Sequence, residues 1–271
     1  MKIHGLVKFQ KVEDKSIVSS ALGIPYPARR FIAFEGEPKT GKTILAVQDA
    51  LFASKYCDVL YVYNETTCEM FMDIVWNIFN YVNQVDPKLD EIDYRITFLE
   101  LNVDENGNPF CLPANANRQM VNFLAKRVAD LIVSWIIKSK EPKLVFIDSI
   151  TQFASDAPAQ TGAFVKHLYY LLHSIFTKTQ KYPCVVAINQ VVDNRAFGGF
   201  KVAHAYDGIV SFKKYRIDKF TTKQFNLPLG TLLFTASVEG IRAFKTNLDE
   251  FIVNYEKGLL KRGKFMYELT S

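Results

Sequence analysis

Two kinds of apolar pattern alternate along most of this chain. One is the nearly continuous apolar run: Arg30 to Glu35 (ended by Gly36), 58–65 (DVLYVYNE), 96–103, 143–149 and 183–190. Such runs lack the in-out alternation of a half-exposed sheet, so they predict strands buried on both faces. The other kind has apolar residues every three or four positions: ILAVQDALFASKY after the first run, then 69–85, 120–139 and 163–180. Those predict amphipathic helices. Strand and helix in alternation predict an α/β fold, a doubly wound and mostly parallel sheet with helices on both faces.

The pattern changes twice. The stretch 104–117, with Gly107, Pro109 and Pro113, reads as a loop, and the wider region 86–119 carries no assignable motif. After residue 205, DGIVSFKKYRI, LGTLLFTASV and GIRAF are short runs separated by turns, which predict antiparallel strands added at one sheet edge. LDEFIVNYEKGLL (248–260) reads as a closing helix. The expected organisation is an N-terminal segment (1–25), a core (26–245), and a C-terminal helix with a basic tail (246–271) packed on it.

Composition narrows the class. The 271 residues are 49% hydrophobic and 23% charged, which excludes a disordered or collagen-like chain. The net charge of +5 permits a nucleic-acid partner without demanding one. Cys57, Cys68, Cys111 and Cys184 form no C-x-x-C pair, and no His stands at zinc spacing. Their scatter fits a reducing interior, hence a cytoplasmic protein. The start, MKIHGLVKFQKVEDK, lacks the apolar core of a signal peptide, and the apolar stretches fall short of the ~20 residues that span a bilayer.

The sharpest chemistry lies at Gly36-Glu37-Pro38-Lys39-Thr40-Gly41-Lys42-Thr43, which fits G-x-x-x-x-G-K-[ST] between a strand and a helix. Glycines there let backbone N–H groups curl around phosphate oxygens, and the helix N-terminus adds its positive end. Lys42 is expected to face solvent without ligand and to reach the β- and γ-phosphates; Thr43 is expected to ligate Mg²⁺. Asp148 ends the run Leu144-Val145-Phe146-Ile147 at the carboxyl edge of the sheet, as a Mg²⁺ carboxylate does, although a helix N-cap explains an Asp there equally well. Glu65 ends Val59–Asn64 and is a candidate base for the water that attacks a γ-phosphate; the alternative is a solvated strand-end charge. Gln190 closes Val185–Asn189, either as a γ-phosphate sensor or as a turn residue.

In this order, the phosphate loop, V-L-Y-V-Y-N-E, L-V-F-I-D-S-I-T and A-I-N-Q-V-V resemble the RecA/RadA recombinase superfamily over about residues 20–245. Closest in layout are the single-domain archaeal RadA paralogues and the KaiC-like ATPases. The resemblance implies Glu65 as the catalytic glutamate, Asp148 as the Walker B acid and Gln190 as the switch glutamine. It implies ATP and Mg²⁺ as ligands, and a homo-oligomer. Gly198-Gly199 with Ala203-His204-Ala205 resembles the end of the family's second DNA-binding loop, so Arg195, Phe197, Phe200 and Lys201 become a candidate single-strand DNA loop. The alternative is a surface loop whose aromatics meet a neighbouring subunit. The first DNA loop should fall near Thr151–Gly162, which holds no Lys or Arg, and the core is preceded by too short a stretch for the DNA-binding domain of full recombinases.

Two basic clusters remain. In Lys213-Lys214-Tyr215-Arg216, the resemblance implies a basic finger reaching a neighbouring subunit's nucleotide, with Lys214 and Arg216 as candidates; a solvated edge-strand run is the alternative. The tail Lys257…Lys261-Arg262-Gly263-Lys264 either binds phosphates or stays solvated. The expected function is Mg²⁺-dependent ATP hydrolysis in DNA recombination or repair, as an accessory to a RadA-type recombinase. A regulatory KaiC-like ATPase acting on protein partners is the alternative. A small-molecule kinase would need an Arg-rich lid, which the sequence does not offer.

Overall fold

The computed structural model describes residues 17–85, 94–104, 106–192, 195–196, 206–241, 250–256 and 259–265. A small antiparallel hairpin, β1 (Ile17–Val18) and β2 (Pro25–Tyr26), precedes the main sheet. The central strand β3 (Phe31–Gly36) runs through the phosphate loop into helix α1 (Lys42–Ser54). Then follow β4 (Asp58–Tyr63), α2 (Cys68–Val85), β5 (Ile96–Glu100), α3 (Arg118–Lys138), β6 (Pro142–Asp148), α4 (Thr161–Thr179) and β7 (Cys184–Val192). The chain continues through β8 (Arg195–Ala196), β9 (Gly208–Arg216), a short α5 (Thr221–Phe225), β10 (Leu232–Ile241), β11 (Phe251–Glu256) and β12 (Leu259–Phe265).

Among the described residues the main sheet is ordered β5-β4-β6-β7-β3-β9-β10-β11-β12, with β8 paired to β7 alone. From β5 to β9 every pairing is parallel; β10, β11 and β12 are antiparallel. The α/β expectation is met, with the antiparallel extension at the predicted edge. Its first run, β9, is parallel to β3 and only the later ones are antiparallel.

The continuous apolar runs bury both faces, as their lack of alternation predicts. In β3, Ile32 and Phe34 enter the core beneath α1 and α2, while Phe31 and Ala33 enter the core beneath α3 and α4. In β6, Leu144 and Phe146 take the first side, Val145 and Ile147 the second. Each of these Val, Leu, Ile and Phe side chains contributes roughly 1.5–3 kcal/mol by leaving water.

The closing helix expected over 248–260 is instead the hairpin of β11 and β12. Phe251, Ile252, Val253 and Tyr255 are aromatic or β-branched, and Gly258 interrupts the run. An exposed edge on β10 offers them a ladder, and such pairing overrides a weak helical period. The hairpin folds back on α1: the Gln48 amide donates to the Leu260 carbonyl at 3.0 Å and accepts from the Leu260 N–H at 2.8 Å.

Candidate active site

Four strands deliver their carboxyl ends to one cleft of about 290 Å³, lined by Pro38–Ile44, Glu65, Asp148, Ile188 and Gln190. The segment between β3 and α1 turns sharply there. Lys39 has φ 63° and Gly41 φ 90°, both left-handed. Gly36 is required by crowding: a Cβ there would stand 2.4 Å from the Phe212 carbonyl oxygen of β9. Helix α1 begins at Gly41 with no side-chain cap. By contrast, Asn117 caps α3 by accepting from the N–H groups of Gln119 and Met120. The first-turn N–H groups of α1 thus lack a side-chain acceptor, an arrangement suited to an anion.

Lys42 does not face solvent as expected. Its ammonium is buried, donating to the carbonyls of Gly36 and Glu37 at 2.7 Å each and to Thr40 Oγ1 at 3.3 Å. The loop carbonyls curl inward around it, so the cation is desolvated before any phosphate arrives. Burial is the main cause of its pKa being lowered to about 8; Asp148 and Glu65 oppose the shift, and Lys214 adds to it.

Asp148 is buried at the tip of β6. Its Oδ2 accepts from the Tyr61 hydroxyl at 2.7 Å, while its Oδ1 has no partner among the described residues. Burial, reinforced by the charge of Glu65, pushes its pKa up to about 6, against the pull of Tyr61, Thr43 and Lys42. Thr43, in the first turn of α1, lines the same cleft as this carboxylate. A buried carboxylate with an orphaned oxygen beside a hydroxyl could hold a hydrated Mg²⁺, which needs only one or two protein ligands besides phosphate and water.

Glu65 lies two residues past β4 and is exposed to the cleft. Its Oε1 accepts from the Ser149 hydroxyl and from the Gln190 amide, the latter at 2.6 Å. Ser149 is itself fixed, its N–H donating to Asn64 Oδ1 at 2.8 Å and its hydroxyl oxygen accepting from the Thr151 hydroxyl at 2.9 Å. Sequence reasoning missed Tyr61 and Ser149. Asn64 was noticed only as Glu65's neighbour. A polar residue directly after a strand-end carboxylate is the one signal that pointed towards Ser149.

The remaining candidates fall outside this cluster. Lys214, at the far end of β9, donates to the Pro38 carbonyl at 3.3 Å and pairs with Glu37 at 3.1 Å. It therefore touches the phosphate loop of its own chain, because β9 runs parallel beside β3. Arg216 is exposed two residues further on. Arg195 lies on β8, paired with the end of β7. Phe197, Phe200 and Lys201 lie outside the described residues. Residues 151–162 are folded into two short 3₁₀ turns, with Phe153 and Ala154 buried.

The parallel strand order, the loop after the central strand and the carboxylates at neighbouring strand tips define a RecA-like P-loop ATPase fold. A family model described as ATPase: KaiC matches residues 21–254, and the chain belongs to that family. Among solved structures, the chain is similar to a KaiC-like protein, PH0186, from the hyperthermophilic archaeon Pyrococcus horikoshii OT3. The two share 12% identity with a TM-score of 0.64, over 92% of this chain and 99% of that one. No curated protein matches the chain. No described helix is long and apolar enough to cross a membrane.

Proposed function

We propose that this chain binds ATP with Mg²⁺ in the Pro38–Ile44 cleft, hydrolyses it, and uses the cycle to regulate protein partners. One observation carries the reading: Lys42, Asp148, Glu65 and Gln190, from four strand ends, meet in one cleft. Backbone N–H groups of the loop and Lys42 take the phosphates. Thr43 and Asp148 hold Mg²⁺, which neutralises phosphate charge when bound. Ser149 and Gln190 orient Glu65 through Oε1, so its other oxygen meets the attacking water and takes its proton. Gln190 joins this carboxylate to the end of β7, a route by which the nucleotide state reaches the following loop.

Protein partners are favoured over DNA because 151–162, where a DNA loop is expected, lacks basic residues and is folded against the core. In a homo-oligomer, Arg216 is the better-placed finger, since Lys214 is engaged in cis. The recombination reading, with single-stranded DNA and a RadA-type recombinase as partners, rests on Arg195, Phe197, Phe200 and Lys201.

Steady-state ATPase assays across a salt series, with and without single-stranded DNA, separate these readings. The expected result is Mg²⁺-dependent turnover, unaffected by DNA, that falls about 10²-fold in Glu65→Gln while ATP affinity holds. Unchanged turnover in Glu65→Gln refutes the assigned base. Salt-sensitive stimulation by single strands replaces the protein-partner reading with the DNA one.

A further inference from the structure

One residue before the phosphate loop, β3 carries a buried carboxylate that the proposed chemistry does not use. Glu35 Oε1 accepts from the Asn189 side-chain amide of β7 at 2.9 Å. Glu35 is 9% exposed and Asn189 0%. The register pairs Glu35 with Asn189, and then Gly36 with Gln190.

Side chains alternate along a strand. Glu35 and Asn189 therefore point to the side of Phe31, Ala33, Val185 and Ala187, beneath α3 and α4. Gln190 points the opposite way, into the cleft where it meets Glu65.

The position of this bond in the sheet matters. The β6 ladder beside β7 ends at the pair Asp148 and Ile188, and the β3 ladder ends at Gly36 and Gln190. Beyond them β7 continues to Val192 with, among the described residues, only the two-residue β8 beside it. The bond between Glu35 and Asn189 is thus a side-chain cross-link just where the backbone ladders give out. Tyr206, at the far end of the segment that follows β7, packs on the Phe31 ring at 5.2 Å. Burial, with the charge of Glu35 adding to it, holds the Tyr206 phenol well above its usual range. Glu35 therefore faces both the strand that enters that segment and the residue that leaves it.

We propose that Glu35 and Asn189 are positioning residues for ATP hydrolysis: their buried hydrogen bond clamps the tip of β7 to β3 and keeps Gln190 within reach of Glu65. This rests on the ATPase reading above. Neither residue touches the cleft; each acts through Gln190.

The test uses the full chain. Asn189→Leu alone takes a hydrogen-bond donor from the buried Glu35 carboxylate and threatens folding, so the decisive variant is Glu35→Leu/Asn189→Leu. It replaces both members of the Glu35–Asn189 bond with apolar groups of similar size, so neither is left facing the other's buried polar group across β3 and β7. That variant is expected to fold, with a cooperative melt, and to keep the KM for ATP within about twofold, while kcat falls about tenfold or more. The side-chain amide resonance of Gln190, assigned by its loss in Gln190→Ala, is expected to shift. Glu35→Gln keeps an acceptor for Asn189 and is expected to hold kcat within about threefold of wild type.

A folded double variant with wild-type kcat overturns the proposal. So does a lowered kcat with an unmoved Gln190 resonance. Absence of turnover in the wild type sinks the ATPase reading instead, and the resonance then still decides whether the clamp holds Gln190.

Discussion

Asp148→Asn is expected to stabilise the protein in the absence of Mg²⁺ and nucleotide, although it removes a group the proposed function needs. The folded pKa of Asp148 is about 6, against an ordinary value of 3.8. Between those values the folded state holds a proton that the unfolded state has released. Stability contributed by this group therefore falls as pH rises through that window, and the loss is complete above about pH 6. Two units at about 1.4 kcal/mol each make the penalty about 3 kcal/mol at neutral pH. Asparagine keeps an oxygen for the Tyr61 hydroxyl and carries no charge, so it escapes the penalty. Any fixed cost of placing its amide beside the orphaned oxygen's site is the same at every pH. The advantage of the variant over wild type should thus grow by about 3 kcal/mol between about pH 4 and pH 7.5. At roughly 2–4 °C per kcal/mol for a chain of this size, the two melting curves should separate by about 6–12 °C more at the higher pH. Melts by circular dichroism in chelator, at several pH values, measure this directly. A difference that does not change with pH would show that burial does not destabilise this carboxylate.

Lys42→Ala removes a cation that already bonds two loop carbonyls and the Thr40 hydroxyl. Affinity for a non-hydrolysable ATP analogue should fall about 10²-fold, the equivalent of one lost charge-assisted hydrogen bond of about 3 kcal/mol; calorimetric affinity within about threefold of wild type refutes it. Gly36→Ala puts a methyl group 2.4 Å from the Phe212 carbonyl oxygen and 3.0 Å from its Cβ. The Phe212 carbonyl belongs to the β9 backbone and cannot yield cheaply, so the variant should lose about 1–3 kcal/mol and melt roughly 2–12 °C lower; an unchanged melting point means that β9 relaxes freely away from β3.

What the sequence made legible was local. The phosphate loop depends on eight consecutive residues, and Glu65, Asp148 and Gln190 follow from their places at strand tips, so their shared cleft could be anticipated. Tyr61 could not. It is one apolar-looking residue within a buried strand, and its partner Asp148 is 87 positions away. The inward turn of Lys42 was equally hidden, because it depends on where the loop carbonyls point rather than on periodicity. The error at 248–260 had a different source. Helix and strand compete closely in that run, and a free edge on β10 decided between them.

The seat of α1 has a consequence for how the chain is made. Gln48 is joined to Leu260, 212 residues later, and Gly41 would press a Cβ to within 3.2 Å of the Leu260 side chain. On the ribosome, where the N-terminal part appears first, α1 must wait for β12 to emerge before its outer face is covered. The nucleotide loop is thus synthesised well before the strand that completes its surroundings. A nascent chain stalled before residue 259 would present Leu45 and its apolar neighbours without the cover of Leu259 and Leu260, which share their core in the finished fold.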